Sequence, residues 1–229
     1  MRVPCAALVV LFGCGGTQTV PAATLGERQF SNSSLSTSPF NAVSCSTCHQ
    51  VAKSPLARND PGYNLYNVVH RSAWWGGYET RLIDAINYCL TEFMGGRALS
   101  PDEDSARELY EYLAANSPDA PSPLLPLTVV KDVTALTNLP GDKNHGKDVY
   151  DRSCRRCHGD PHTGHGRLST KVSIIPEDTQ AVFPTVARQV AVEKVRHGKF
   201  FNIGGIMPLY SAEAISDQEI SDVLDYLAF

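Results

Sequence analysis

Cys45-Ser46-Thr47-Cys48-His49 and Cys154-Arg155-Arg156-Cys157-His158 decide how this chain is read. Both follow C-x-x-C-H, the attachment pattern of c-type haem. Two thiols add across the two vinyl groups of one porphyrin, and the two intervening residues hold them at vinyl spacing. The adjacent histidine then falls under the iron as proximal ligand. A redox dithiol needs no histidine after it. Zinc ribbons place their two knuckles about 15–20 residues apart, and these motifs lie much further apart than that. The expectation is two covalent haems c. Cys45 and Cys48 would carry one and Cys154 and Cys157 the other, with His49 and His158 on the two irons.

Working outward, the motifs divide the 229 residues into two units. Residues 114–140, AANSPDAPSPLLPLTVVKDVTALTNLP, hold five of the 15 prolines. Proline lacks the donor that helices and sheets need, so this stretch reads as an extended linker or strap. The expected organisation is all-α: a first helical domain over 24–116, a linker over 117–140 and a second domain over 141–229, each wrapped on a haem. In the second unit, GKDVYDRSCRR (146–156) reads as a helix leading into the motif, with Tyr150 one turn before Cys154. Ser216 and Glu219 form a capping box. Ile220, Val223, Leu224 and Leu227 then fall on one helical stripe. The first unit ends alike, with Ser100 as N-cap, Pro101 at the first helical position, and Ala106, Leu109, Tyr110 and Leu113 as the stripe. Units of this size bury little surface alone, so a covalent apolar macrocycle would help to stabilise each.

Composition excludes several classes. The chain is 42% hydrophobic and 19% charged, with net charge −4 and a pI near 6.0. That is too apolar for a disordered protein and too acidic for one that coats nucleic acid. No apolar run reaches the ~18 residues of a membrane span. Residues 1–20, MRVPCAALVVLFGCGGTQTV, carry Arg2 and a short apolar stretch from Cys5 to Phe12, as a signal peptide does. Leu11-Phe12-Gly13-Cys14 resembles a bacterial lipobox, which would place a lipid anchor on Cys14. The alternative is plain cleavage near Pro21-Ala22-Ala23. Either way the chemistry would belong to the periplasm or the outer cell envelope.

The second axial position decides between carrying electrons and binding substrate. Beyond Met1 there are two methionines, one per unit. Met207, in Gly204-Gly205-Ile206-Met207-Pro208, is the expected distal ligand of the second haem. In the first unit, ETRLIDAINYCLTEFM (79–94) reads as a helix stopped by Gly95-Gly96. Leu82, Ile86, Cys89, Leu90 and Phe93 share its core face. Cys89 is also the cysteine left without an intramolecular partner. Cys89, Met94 and His70 are therefore the candidates for the sixth position there, with Cys89 first. Arg152, Arg155, Arg156, Arg167 and Lys171 gather around the second motif, with Lys194, Arg196, His197 and Lys199 later in the chain. They read as neutralising haem propionates on a solvated surface, or alternatively as a docking face for an acidic redox partner. Trp74 and Trp75 read as packing residues, and His145, His162 and His165 as surface histidines.

The helix into C-x-x-C-H, the late Gly-rich loop with Met-Pro and the closing helix resemble class I cytochrome c, most fully over 146–229. The first motif followed by Ile86-Asn87-Tyr88-Cys89 and Phe93-Met94-Gly95-Gly96-Arg97 resembles the dihaem thiosulfate dehydrogenases. That resemblance implies a cysteine ligand on the first haem, where sulfur chemistry occurs, and a methionine on the second. Cys89 and Met207 match those roles by position. Ile206 and Pro208 flank Met207 where that family is expected to carry a basic residue. A further stretch, LGERQFSNSSLSTSPFNAVSCSTCH (25–49), resembles the lead-in of dihaem cytochrome c peroxidases. The expected function is electron transfer between redox partners through two haems. The alternatives are oxidation of thiosulfate or another small sulfur anion at the first haem, and a peroxidase-like activity.

Overall fold

A computed structural model describes residues 20–198 and 207–229. The signal-peptide and lipobox readings, with Cys14, lie outside the described residues. The described chain is all-α: it holds helices and two isolated bridges, Arg71 with Ser122 and Trp74 with Glu79. The helices are α1 (Ala22–Phe30), α2 (Cys45–Cys48), α3 (Leu82–Tyr88), α4 (Asp104–Ala115), α5 (Thr134–Thr137), α6 (Lys143–Ser153), α7 (Arg155–His158), α8 (Glu177–Val182), α9 (Ala187–His197) and α10 (Asp217–Tyr226).

One packing device occurs twice. In the first half α1 lies against α4, and in the second α6 lies against α10. Each pair approaches through a glycine. A Cβ on Gly26 would stand 1.9 Å from the Glu108 carbonyl oxygen, and one on Gly146 would stand 2.0 Å from that of Asp222. Four residues after each glycine an aromatic ring meets a tyrosine. Phe30 meets Tyr112 at 5.3 Å between centroids, and Tyr150 meets Tyr226 at 5.9 Å. Glycine followed by an aromatic one turn later therefore lets the backbones touch and then locks the crossing with a ring pair.

Two hydrophobic cores result, with no residue in common. The first is built on Phe30, Val68, Leu90, Met94, Leu99, Leu109 and Leu113. The second is built on Val149, Tyr150, Val192, Tyr210, Ile220, Leu224 and Leu227. The stripe expected on α10 is buried throughout, and its capping box forms, with Ser216 Oγ accepting from Glu219 N at 3.2 Å. Two details of α4 differ from expectation. The helix begins at Asp104, not Pro101, because Glu103 reaches back to accept from Ser100 N at 2.9 Å and closes a turn first. Tyr110 is exposed, and Tyr112 takes the place on the α1-facing side.

The helix expected over 79–94 is shorter and changes pitch. It starts at Leu82, and Cys89–Phe93 form a π-helical turn. Such wider turns occur often at functional sites. The proline-rich stretch is a strap rather than a free tether. Tyr63 OH donates to the Pro126 carbonyl on one side. On the other, Ala212 N donates to Thr128 O at 3.1 Å and Thr128 N donates to Glu213 at 3.1 Å. Its last part is not linker at all, since Val133 and Leu136 are buried in the second core.

Candidate haem centres

The first motif occupies a single helical turn. Ser44 precedes α2, and its N–H donates to Thr47 Oγ1 at 3.0 Å. The turn puts Cys45 and Cys48 one helical repeat apart and ends at His49, whose N–H donates to Cys45 O at 2.9 Å. The His49 ring is oriented by one bond, Nδ1 to the Tyr63 carbonyl at 2.7 Å. A carbonyl only accepts, so Nδ1 carries the proton and Nε2 keeps its lone pair. Burial lowers the imidazole pKa and so favours the neutral, ligating form. Gly62 makes this placement possible, because a Cβ there would lie 2.2 Å from His49 Cε1.

The second motif repeats the arrangement with different neighbours. α6 ends at Ser153, and α7 carries Cys157 and His158. His158 N donates to Cys154 O at 3.0 Å, and its Nδ1 meets the Ser173 carbonyl at 2.9 Å. Its Nε2 is left free by the same logic, and burial again lowers its pKa. Tyr150 is buried and donates to Gly159 O at 2.8 Å, bracing the motif from the preceding turn. Met207 and Cys154 both pack on the second core.

A largely apolar cavity lies over the first motif. Cys45, Cys48 and His49 line it, as do Ile86, Cys89, Phe93 and Met94 from α3 and the π turn. Trp74 and Trp75 line it too, so these residues belong to the site as well as to packing. Trp75 stacks on Phe93 at 5.9 Å and tilts against Tyr88 at 4.9 Å. Cys89 and Met94 thus both reach the cavity. His70 does not line it; the ring is tied to the Ser117 carbonyl at 2.8 Å.

Whether the residues fit a haem can be tested on the buried donors. Arg71 Nε and Trp74 Nε1 are buried without a hydrogen-bond partner, and both residues line this cavity. Leaving such donors unmet costs about 1–3 kcal/mol each. An apolar macrocycle bearing carboxylates would suit this lining and offer acceptors to both donors. The thiols fit as well. Burial pushes Cys45 up to about 11 and Cys89 and Cys154 up to about 12, so each thiol keeps its proton until it forms a thioether or binds a metal cation.

Two features escaped the sequence reading. Leu125 and Leu127 of the strap wall the first cavity, and so do Pro208, Leu209, Ser211 and Ala214 from the segment that follows Met207. The segment 207–211 therefore divides its residues between the two centres, with Met207 and Tyr210 on the second core. Two of the five residues of the basic cluster are paired with acids. Arg155 pairs with Asp151 at 3.1 Å and with Asp160, and Arg152 meets Glu219 at 3.4 Å. Lys171 reaches across to the Pro39 carbonyl and the Phe40 ring. Of the expected surface histidines, His145 and His162 are held by Asp222 and Glu177, and His165 lies beside Asp160.

Residues 141–227 match the family model described as cytochrome C oxidase, cbb3-type, subunit III, and that range contains the second motif and Met207. Residues 141–227 are a c-type cytochrome domain. Its cofactor is covalently bound haem c, and its role is redox. The cytochrome resembles the thiosulfate dehydrogenase family. It is 25% identical over 192 residues to a thiosulfate dehydrogenase of Psychrobacter arcticus, covering 81% of this chain and 55% of that one. A solved thiosulfate dehydrogenase of Marichromatium purpuratum, in its as-isolated form, aligns with 90% of this cytochrome and 45% of its own length. The identity there is 16% and the TM-score 0.40. The cytochrome spans about half the length of these relatives.

Proposed function

We propose that this cytochrome carries electrons between redox proteins on two covalent haems. Each haem supplies reversible one-electron exchange between ferric and ferrous iron. Cys45 and Cys48 would hold the first and Cys154 and Cys157 the second. The observation that carries the reading is the repeated proximal geometry. His49 and His158 are each oriented through Nδ1 by a backbone carbonyl, at 2.7 and 2.9 Å, with Nε2 left free. Arg71 and Trp74 would hold the carboxylates of the first haem. Met207 would supply thioether sulfur to the second iron, and Cys89, ahead of Met94, the sixth ligand to the first. Export to the periplasm or outer envelope, with a lipid on Cys14, completes the proposal and fits haem attachment outside the cytoplasm.

One observation favours a second reading, oxidation of thiosulfate or a related sulfur anion at the first centre. Cys89 stands in a cavity whose lining holds no carboxylate to repel an anion. Such a site admits a small anion and places it beside sulfur. The two readings separate in one experiment. A pyridine haemochrome assay should find two haems per chain, and one haem would refute the dihaem proposal. The anaerobic oxidised protein is then mixed with thiosulfate. A pure carrier stays oxidised, whereas the enzyme reading predicts reduction that Cys89→Ser abolishes.

A further inference from the structure

Arg196 is among the most deeply buried side chains of the chain, with 1% of its surface exposed, although it is a cation. It stands on α9, just before the chain leaves toward Met207. Its Nη1 donates to two backbone carbonyls, Tyr210 O and Ser211 O, both at 3.1 Å. Its Nη2 donates to Asp217 Oδ1 at 2.5 Å, in the first turn of α10. One guanidinium thus ties α9, the segment after Met207 and α10 together. Residues 207–211 lie in neither helix nor strand, so their backbone groups need partners from elsewhere. Arginine's planar fork can serve two carbonyls and a carboxylate at once, which a lysine ammonium cannot do in the same plane.

Other contacts fix the same segment. Tyr210 N donates to Val195 O at 2.8 Å, and Tyr210 OH donates to Ser153 O at 2.6 Å, next to the attachment cysteine Cys154. A Cβ on Gly198 would stand 2.6 Å from Met207 O, so the two backbones touch there. The backbone after Met207 is therefore anchored to α9 by Arg196 and to the haem-attachment helix by Tyr210.

We propose that Arg196, with Tyr210, is the positioning residue that keeps the Met207 sulfur on the second iron. The inference rests on the proposed ligation by Met207 and adds the device that maintains it. Thioether is a neutral ligand, and at high pH hydroxide or a free amine competes for ferric iron. A looser segment 207–211 should lose that competition at lower pH, whereas a merely structural role for Arg196 would leave it unmoved.

The test is an alkaline titration of the oxidised holoprotein, followed by the near-infrared methionine–iron band. Wild type should show the band, and Met207→His should lack it. In Arg196→Gln the midpoint for loss of the band should fall by about one pH unit, a tenfold change in proton concentration. Arg196→Lys should rescue it only in part. Tyr210→Phe and Asp217→Asn, which spare the guanidinium, should lower it in the same direction by less. They decide the matter should Arg196→Gln fail to attach haem. Wild-type midpoints in the variants that carry haem would overturn the inference and leave Met207 as ligand. A wild-type protein without the band, or a Met207→His protein that keeps it, would instead refute the ligation itself and the inference with it.

Discussion

Gly62→Ala should destroy proximal ligation at the first centre while leaving the second intact. The new methyl group would sit 2.2 Å from His49 Cε1 and 2.5 Å from Nδ1. No rotamer adjustment of alanine relieves this, so the ring must swing away. Swinging breaks the 2.7 Å bond to the Tyr63 carbonyl, which holds the proton on Nδ1. Overpacking and loss of that bond together cost about 3 kcal/mol or more. The thioethers at Cys45 and Cys48 can still form, so the expected product is a haem with an unligated or wrongly ligated iron. Electron paramagnetic resonance should then show a high-spin ferric signal in place of one low-spin signal. A low-spin spectrum identical to wild type would show that the His49 ring does not sit where its ligating role requires.

Met207→His should lower the potential of the second haem and so remove the downhill step between the centres. Thioether favours ferrous iron and imidazole favours ferric, and axial ligands span ~0.8 V across haem proteins. The exchange is expected to lower the potential on the order of 0.2 V. A thiolate at Cys89 would hold the first haem low, so in wild type electrons entering there run downhill to the second. The variant loses that gradient. Spectroelectrochemical titration should show the upper of two waves moving down and the lower one staying in place. An unmoved upper wave would mean that Met207 is a packing residue.

How far these centres were legible in the sequence depends on the range of the contacts. The C-x-x-C-H motifs and the α10 stripe are local patterns, and the all-α fold follows from them. The capping box needed only Ser216 and Glu219, four positions from end to end. The start of α4 was misplaced because two caps compete: Ser100 signals a helix, but Glu103 closes a turn on it first. The π turn at Cys89 was invisible because its apolar spacing also suits an α-helix. Nothing local announces the shared wall. Leu125, Leu127 and Pro208 reach the first cavity from far along the chain, and hydrophobic periodicity carries no information about distant partners. Arg196 was hidden for the opposite reason, since a basic residue in a helix ordinarily signals a solvated face. The glycines Gly26 and Gly146 were visible as unit starts, but their close approach to Glu108 and Asp222 appears only when both helices are in place.

Low-temperature electron paramagnetic resonance of the oxidised holoprotein, compared with Cys89→Ser, tests the two-centre account most directly. Two low-spin ferric signals are expected, one with thiolate–histidine character and one with methionine–histidine character. Cys89→Ser should remove the first and leave the second unchanged. A single haem signal, or a Cys89→Ser spectrum that superimposes on wild type, would contradict the account.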